Sequence, residues 1–390
     1  MKVCKLIRKH SFKDIRVFEK EAISLKKLGY DVTIVAGKTN GAVFEPNLKR
    51  IKDPTFNQDQ FEYKGIKFLT YDIKNMYDPH IGKMVNNLEM DTQNYFVDKL
   101  YERALAVEAD IYHAHELHTL YEAVQIKKVL RKKGKNVKVI YDAHELEQNS
   151  KLLRLLMKEV DHLITVSDSI KNIYQRRYPG VPVTVIYNSP LYQQELPKDE
   201  HFQHYFVIAY EGVVQYQKGN PKKILQIADL CKNSMKNFRF DIIGYIDPTI
   251  SYNEKKLISG HPAIHCKWVE YENLPKELNQ VHAGYIYFDI RNINKKYALP
   301  NKFFSFLNNG IPVVVNRAMD MKNIIEKHQC GIVIDKDDPT AEEYVEQFLR
   351  LYKDRKMLAR MSKNAREAMK NHYCWEKMEE RLAAIYKGLK

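Results

Sequence analysis

Short apolar runs rich in valine, isoleucine and aromatic residues alternate with amphipathic stretches along the first half of the chain. That alternation predicts strand–helix–strand units and a mostly parallel sheet. Strands are expected at residues 2–8, 31–36, 66–71, 111–115, 137–141, 162–166 and 184–187. Between the first two, Phe18, Ala22, Leu25 and Leu28 recur at helical spacing over residues 14–28, and Gly29 follows as a stop. A polar, proline-containing connection at 188–203 precedes a second set of strands at 206–210, 238–243, 264–268, 283–288, 311–315 and 331–334. Residues 352–389 read as helices with a break at 372–374, just before Trp375. Ligands of open α/β sheets bind at the carboxyl ends of the strands, so two such sheets place the expected site in a cleft between two domains.

Composition narrows this picture. A chain of 390 residues with 44% hydrophobic content is too apolar for disorder and long enough for two domains. No run approaches the roughly 18 apolar residues of a membrane span, and the opening MKVCKLIRKHSFKD turns polar before a signal-peptide core can form, so the chain is expected in the cytoplasm. Cys4, Cys231, Cys266, Cys330 and Cys374 form no CxxC pair, which argues against a disulfide framework or a thiolate metal site.

The charge balance is 63 − 49 = +14, and residues 1–50 hold twelve Lys/Arg against five acids, half of the excess. Nucleic acid, an anionic lipid surface, a phosphorylated ligand and plain solvent are all compatible with such a patch. Nucleic acid is set aside because no recognition module and no interleaved aromatic–basic patch accompanies the charge. Residues 151–160 (KLLRLLMKEV) have helical spacing and read as an amphipathic helix packed on the sheet or, alternatively, as an interfacial one.

GxGxxG, GxxxxGK[ST], HExxH and GxSxG are all absent, which removes the simplest dinucleotide, nucleotide-hydrolase, zinc-protease and serine-hydrolase readings. The remaining chemistry lies at strand ends. One strand runs into Asp142-Ala143-His144-Glu145, and another ends as His113-Ala114-His115-Glu116-Leu117-His118. His113 reads as a packed strand residue, His115 and His144 as functional. A divalent ion on His115, Glu116, His118 and Glu145 is conceivable from ligand chemistry, but the spacing is weak and no metal is expected.

In the second half, Tyr210-Glu211-Gly212 ends a strand and Gln217-Lys218-Gly219-Asn220-Pro221 opens the next helix. Glycine for close backbone approach, a lysine and a helix N-terminus together suit a pyrophosphate. Ala298-Leu299-Pro300-Asn301-Lys302 makes a second such place, where Pro300 starts a helix and Lys302 sits in its first turn. A cation there opposes the helix dipole, so Lys302 is expected to have an anionic partner.

Assembled in order, these pieces resemble a glycosyltransferase of the GT-B fold, of the retaining family 4 kind that builds bacterial surface polysaccharides. Residues 14–22 (DIRVFEKEA) are similar to the family's opening helix, Tyr141–Glu145 to its "YDSHE" strand end, Val166-Ser167 to "VS" and Tyr187-Asn188 to "PN". Tyr210-Glu211-Gly212 resembles "YxG", Lys218-Gly219 the "KG" pair, and residues 298–312 the segment "ALPNKLFEYLAAGLPVV".

The resemblance implies two Rossmann-like, doubly wound domains facing across a cleft: 1–190, binding acceptor and joined by a terminal helix at 373–390, and 191–372, binding a UDP- or GDP-sugar. His144, Lys218 and Lys302 would be the catalytic set. Glu211, Gly212, Lys218, Pro300, Asn301, Lys302, Ser305 and Glu326 would surround the donor, and His10, Asp14, Arg16, His115 and Glu145 the acceptor side. The acceptor would be a lipid-linked or polymeric glycan, with peripheral contact to the inner face of an anionic membrane and no cofactor.

The family usually places two glutamates eight positions apart, where this chain has Tyr297 and Ser305, and an arginine where it has Val213. Glu211 or Glu326 would then supply the missing carboxylate. The alternative is a catalytically impaired GT-B protein acting as binding or scaffold partner of another transferase.

Overall fold

The computed structural model describes residues 1–8, 11–39, 41–44, 50–73, 98–194 and 205–390. His10 and the end of the 188–203 connection lie outside the described residues. The chain divides into two compact units, Met1–Ile186 with Glu379–Lys390, and Tyr187–Met378.

Unit 1 carries β1 (Lys2–Ile7), β2 (Asp31–Thr39), β3 (Gln60–Tyr63), β4 (Ile66–Ile73), β5 (Ile111–Ala114), β6 (Lys138–Ala143), β7 (His162–Thr165) and β8 (Val183–Val185). Their order across the sheet is β3-β4-β2-β1-β5-β6-β7-β8. All neighbours run parallel except β3 and β4, a hairpin turning on Lys64 and Gly65, both at positive φ. β3 was not expected; QFEY is too short to stand out from the loop around it. The order reverses on either side of β1, so the carboxyl ends of β1, β5 and β6 form the edge where a doubly wound sheet receives ligand.

The helix expected over 14–28 takes a different form. Ile15–Ala22 is a π-helix and only Ile23–Lys27 is α-helical. Asp14 caps it, its carboxylate accepting from the Arg16 and Val17 amides. In an α-helix, residues five apart point about 140° away from each other. The wider π turn instead brings Arg16 and Glu21 to the same face, with Arg16 Nε 3.1 Å from Glu21 Oε1.

Unit 2 carries β9 (Phe206–Val214), β10 (Phe238–Ile246), β11 (Ile264–Lys267), β12 (Ala283–Ile286), β13 (Val313–Asn316) and β14 (Gly331–Ile334) in the order β11-β10-β9-β12-β13-β14, all parallel. Its core joins Ile208, Tyr210, Phe240, Ile242 and Tyr285 of the sheet to Ile224, Ile227, Tyr344 and Phe348 of the covering helices. The helices Ala341–Lys353 and Arg355–Ala368 lead into a π turn at Met369–Tyr373; Cys374 is extended, and Trp375–Gly388 is the last helix.

The 151–160 stretch forms a short helix, Lys151–Leu156, that buries Leu152, Leu153 and Leu156. No helix among the described residues is long and apolar enough to cross a membrane.

Candidate active site

In unit 1 the edge of the sheet is held by a buried network of charges. Lys5 stands in the middle of the otherwise apolar β1 and donates to Glu21 Oε2 at 2.6 Å. Its Nζ also lies 3.1 Å from His113 Nδ1, which is 2.8 Å from the Tyr386 hydroxyl. Arg16 grips Asp142 with Nε and Nη2, both at 2.9 Å, and donates Nη1 to the Ile186 carbonyl. His115 stacks on His113 at 4.5 Å, with Nδ1 3.5 Å from Asp142 Oδ2 and 3.2 Å from His144 Nε2.

Two cations thus face two carboxylates, a balance that a water-free interior requires. Burial, reinforced by the Lys5 charge, holds His113 and His115 well below the ordinary imidazole range, so both are neutral. Burial alone would raise Asp142, but Arg16 and His144 hold it well below the usual carboxylate range. His144 is the member of the chain of groups that reaches the surface, its side chain 21% exposed.

In unit 2 a second polar set gathers at the carboxyl ends of β9 and β12. β9 runs on past the expected end at Tyr210 to Val214, so Glu211 and Gly212 lie within it, and Gly212 pairs in register with Gly244 of β10. Gly244 sits at φ +150, and a Cβ there would lie 2.2 Å from the Gly212 carbonyl oxygen, so only glycine admits this approach. The chain then turns tightly, Gln215 and Lys218 exchanging backbone bonds of 2.8 and 3.0 Å, and Asn220 caps the helix Pro221–Ser234.

The helix Asn301–Asn308 starts from Pro300, whose side chain offers no cap to the first amides. Lys302, in that first turn, is buried with its Nζ 3.7 Å from the centroid of the Tyr210 ring. Burial pushes it down to about 7, opposed by Glu211 and assisted by the charges of Lys218 and Lys295. Burial likewise pushes Glu211 up to about 7, opposed by Lys302. Ser305 Oγ lies 3.5 Å from Glu211 Oε1 and 3.1 Å from the Asn301 carbonyl, while Glu211 Oε2 is buried without a hydrogen-bond partner among the described residues. Glu211 faces Lys302, and the charges of Lys218 and Lys295 bear on Lys302 too, which leaves a positive excess near a helix N-terminus, a receptacle for a di-anion.

Residues 16–189 match the model of Glycosyltransferase Family 4, and residues 193–368 match that of Glycosyl transferases group 1. The chain belongs to the GT-B glycosyltransferases of the family 4 kind.

Solved structures agree on the fold over the full length. Anabaena HepE in complex with UDP-glucose is 12% identical at a TM-score of 0.68, covering 100% of both chains. Trehalose-6-phosphate from E. coli bound with UDP-2-fluoro glucose is 11% identical at 0.68, covering 100% of this chain and 99% of the other. Sucrose-phosphate synthase from Thermosynechococcus elongatus is 13% identical at 0.66, covering 100% and 99%. No curated protein matches the sequence.

In this glycosyltransferase Gly212, Lys218, Lys302, Ser305 and Glu211 come together as grouped from the sequence, and Pro300 and Asn301 supply the helix start. Glu326 does not join them: it lies on the helix Met319–His328, half-exposed, 3.7 Å from Lys322. On unit 1 the residues grouped on the acceptor side occupy different settings. Arg16 and His115 are buried among their ionic partners, Asp14 is a helix cap, and Glu145 is exposed.

The donor set that could hold a metal is also different from the one considered. Glu21, His113, His115 and Asp142 have ligand atoms within 4.8 Å of one another. Lys5 and Arg16 already occupy that carboxylate pair, so a further cation would meet two fixed positive charges. Glu116 caps the helix Leu117–Lys132.

Lys5 and Glu21 were missed as site residues. A charged residue inside the apolar strand KVCKLI was the visible signal for Lys5.

Proposed function

We propose that the chain is a retaining transferase that moves a sugar from a UDP- or GDP-sugar to a lipid-linked or polymeric glycan in surface polysaccharide assembly. The observation that carries the donor half is buried Lys302 in the first turn of the helix Asn301–Asn308, facing Glu211 and close enough to Lys218 and Lys295 to feel their charges. Solved structures of the same fold with UDP or UDP-glucose support this reading.

Residues 191–372 then hold the donor and 1–190, with 373–390, the acceptor. The departing diphosphate gathers charge as the glycosidic bond breaks, and Lys218, Lys302 and the helix amides stabilise it without reorganising. In the retaining course, a leaving phosphate oxygen takes the proton of the incoming hydroxyl on the same face, so the protein supplies position and charge. His144 serves the sugar end of the donor, and Ser305 with Glu211 serves its ribose hydroxyls. The basic excess of residues 1–50 favours an anionic lipid surface, each Lys or Arg near it adding about 1 kcal/mol.

The test is a thermal-shift panel of UDP, GDP, ADP and their sugars. A ligand at a hundredfold excess over Kd stabilises by about 2.7 kcal/mol. A shift with one nucleotide is expected; silence across the panel refutes the donor reading.

A further inference from the structure

His144 is fixed by the groups behind it. Its Nε2 lies 3.2 Å from His115 Nδ1 and 3.5 Å from Asp142 Oδ2, and the two imidazoles meet edge to face at 84° with centroids 5.4 Å apart. Neither partner is free to move. Asp142 is the fifth residue of β6 and is held by two parallel bonds from Arg16. Arg16 is itself set by the π turn that aligns it with Glu21, and by the Ile186 carbonyl. His115 is fully enclosed, stacked at 22° on His113, with its backbone amide bonded to Thr119 Oγ1 at 3.1 Å.

We infer that His115 and Asp142 are positioning residues for the transfer reaction, holding the His144 imidazole in one plane by engaging its Nε2. A neutral His115 presents one N–H and one lone pair, so with His144 it forms a single directed bond rather than a repelling pair of cations. The ionised Asp142, 3.5 Å from both of these nitrogens, stabilises the N–H that lies between the two rings. Without this backing, the His144 ring loses the bonds at Nε2 that fix its plane, and a group one ångström out of place loses most of its effect on a transition state. The π-helix thereby gains a role in the reaction: it delivers Arg16, which holds Asp142, which with His115 holds His144. This rests on the assignment of His144 to the donor's sugar end.

Asp142→Asn would strip buried Arg16 of one of its two anions, so His115 is the better handle. The experiment measures release of nucleoside diphosphate from UDP-glucose, or from the nucleotide sugar selected by the thermal-shift panel, for wild type, H144A, H115L, H115N and H115L/H144A, each checked for folding by circular dichroism. H115L should lower kcat by about 10–100-fold, as removal of a group that orients a functional imidazole does, with donor KM within about threefold. H115N, which returns a polar atom near the Nδ1 position, should recover part of it. The double variant should be no slower than H144A alone, because His115 acts only through His144.

Losses that multiply in the double variant, or an H115L with wild-type kcat, overturn the positioning role while leaving His144 in place. An H144A with wild-type kcat overturns both. If H115L does not fold, H115N and H115N/H144A carry the same comparison.

Discussion

Lys302 Nζ rests 3.7 Å above the ring of Tyr210, a mid-strand tyrosine whose own hydroxyl is tied to the Val213 carbonyl at 2.8 Å. The aromatic face stabilises a cation that burial would otherwise disfavour, and it fixes the ammonium beside Gly212 instead of letting it seek solvent.

Lys302→Ala and Lys218→Ala should each weaken UDP or GDP binding by at least about tenfold, the equivalent of one lost charge-assisted contact. Isothermal titration on the folded variants decides it. Retained affinity in either variant would mean the phosphates bind elsewhere.

Nucleotide affinity should also depend on pH. In the empty site Lys302 is held down at about 7, whereas a bound diphosphate favours its charged form and raises it. Between those two values, binding takes up a proton, so affinity falls as pH rises above about 7, by at most about tenfold per pH unit. Titrations in two buffers of different ionisation enthalpy should register the proton uptake near pH 8. Lys302→Arg, which stays charged, should lose the Lys302 share of this dependence and keep the part that comes from Glu211.

The buried network of unit 1 gives a stability prediction. Glu21→Gln leaves Lys5 and Arg16 facing Asp142 as the one remaining carboxylate. Breaking such a group by removing one partner costs about 3–5 kcal/mol. Urea unfolding should show a lower midpoint of that size, and a change below about 1 kcal/mol would argue that the network is not ionised as described.

Truncation after Met378 should unfold unit 1 selectively. Leu382, Ile385 and Tyr386 are buried, and Tyr386 reaches His113. Losing three such side chains removes about 1.5–3 kcal/mol each, enough to lower the melting temperature of that unit by more than about 10 °C. Calorimetry should then resolve two transitions, with that of residues 187–378 unmoved.

Much of this architecture is readable in the amino-acid order because parallel strands buried on both faces are near-continuous apolar runs; AGYI and VVVN left little choice. The phosphate-side residues were legible for a similar reason, since glycine, lysine and a helix start sit next to one another in the chain. The unit 1 network was not. Its members come from β1, the π-helix, β5, β6 and the last helix, and Lys5 and Tyr386 meet at His113 from opposite ends of the sequence. The π turn left no trace in a pattern search built on a period of 3.6, because its apolar positions still approximate that spacing. Choosing between Glu211 and Glu326 likewise needed the fold: one lies within β9 and the other in the last turns of its helix, and Glu211 is the one that faces Ser305.

The division of the chain has a consequence for how it is made. Residues 379–390 complete unit 1, so the whole of Tyr187–Met378 is threaded between the bulk of that unit and its closing piece. On the ribosome, at roughly 5–20 residues per second, unit 2 takes on the order of ten seconds to emerge. During that interval β5 waits with His113 uncapped by Tyr386, and the pocket that Leu382 will fill stands open. The second unit can be finished before the first, and a nascent chain arrested short of residue 379 should be the form most exposed to chaperones and proteases.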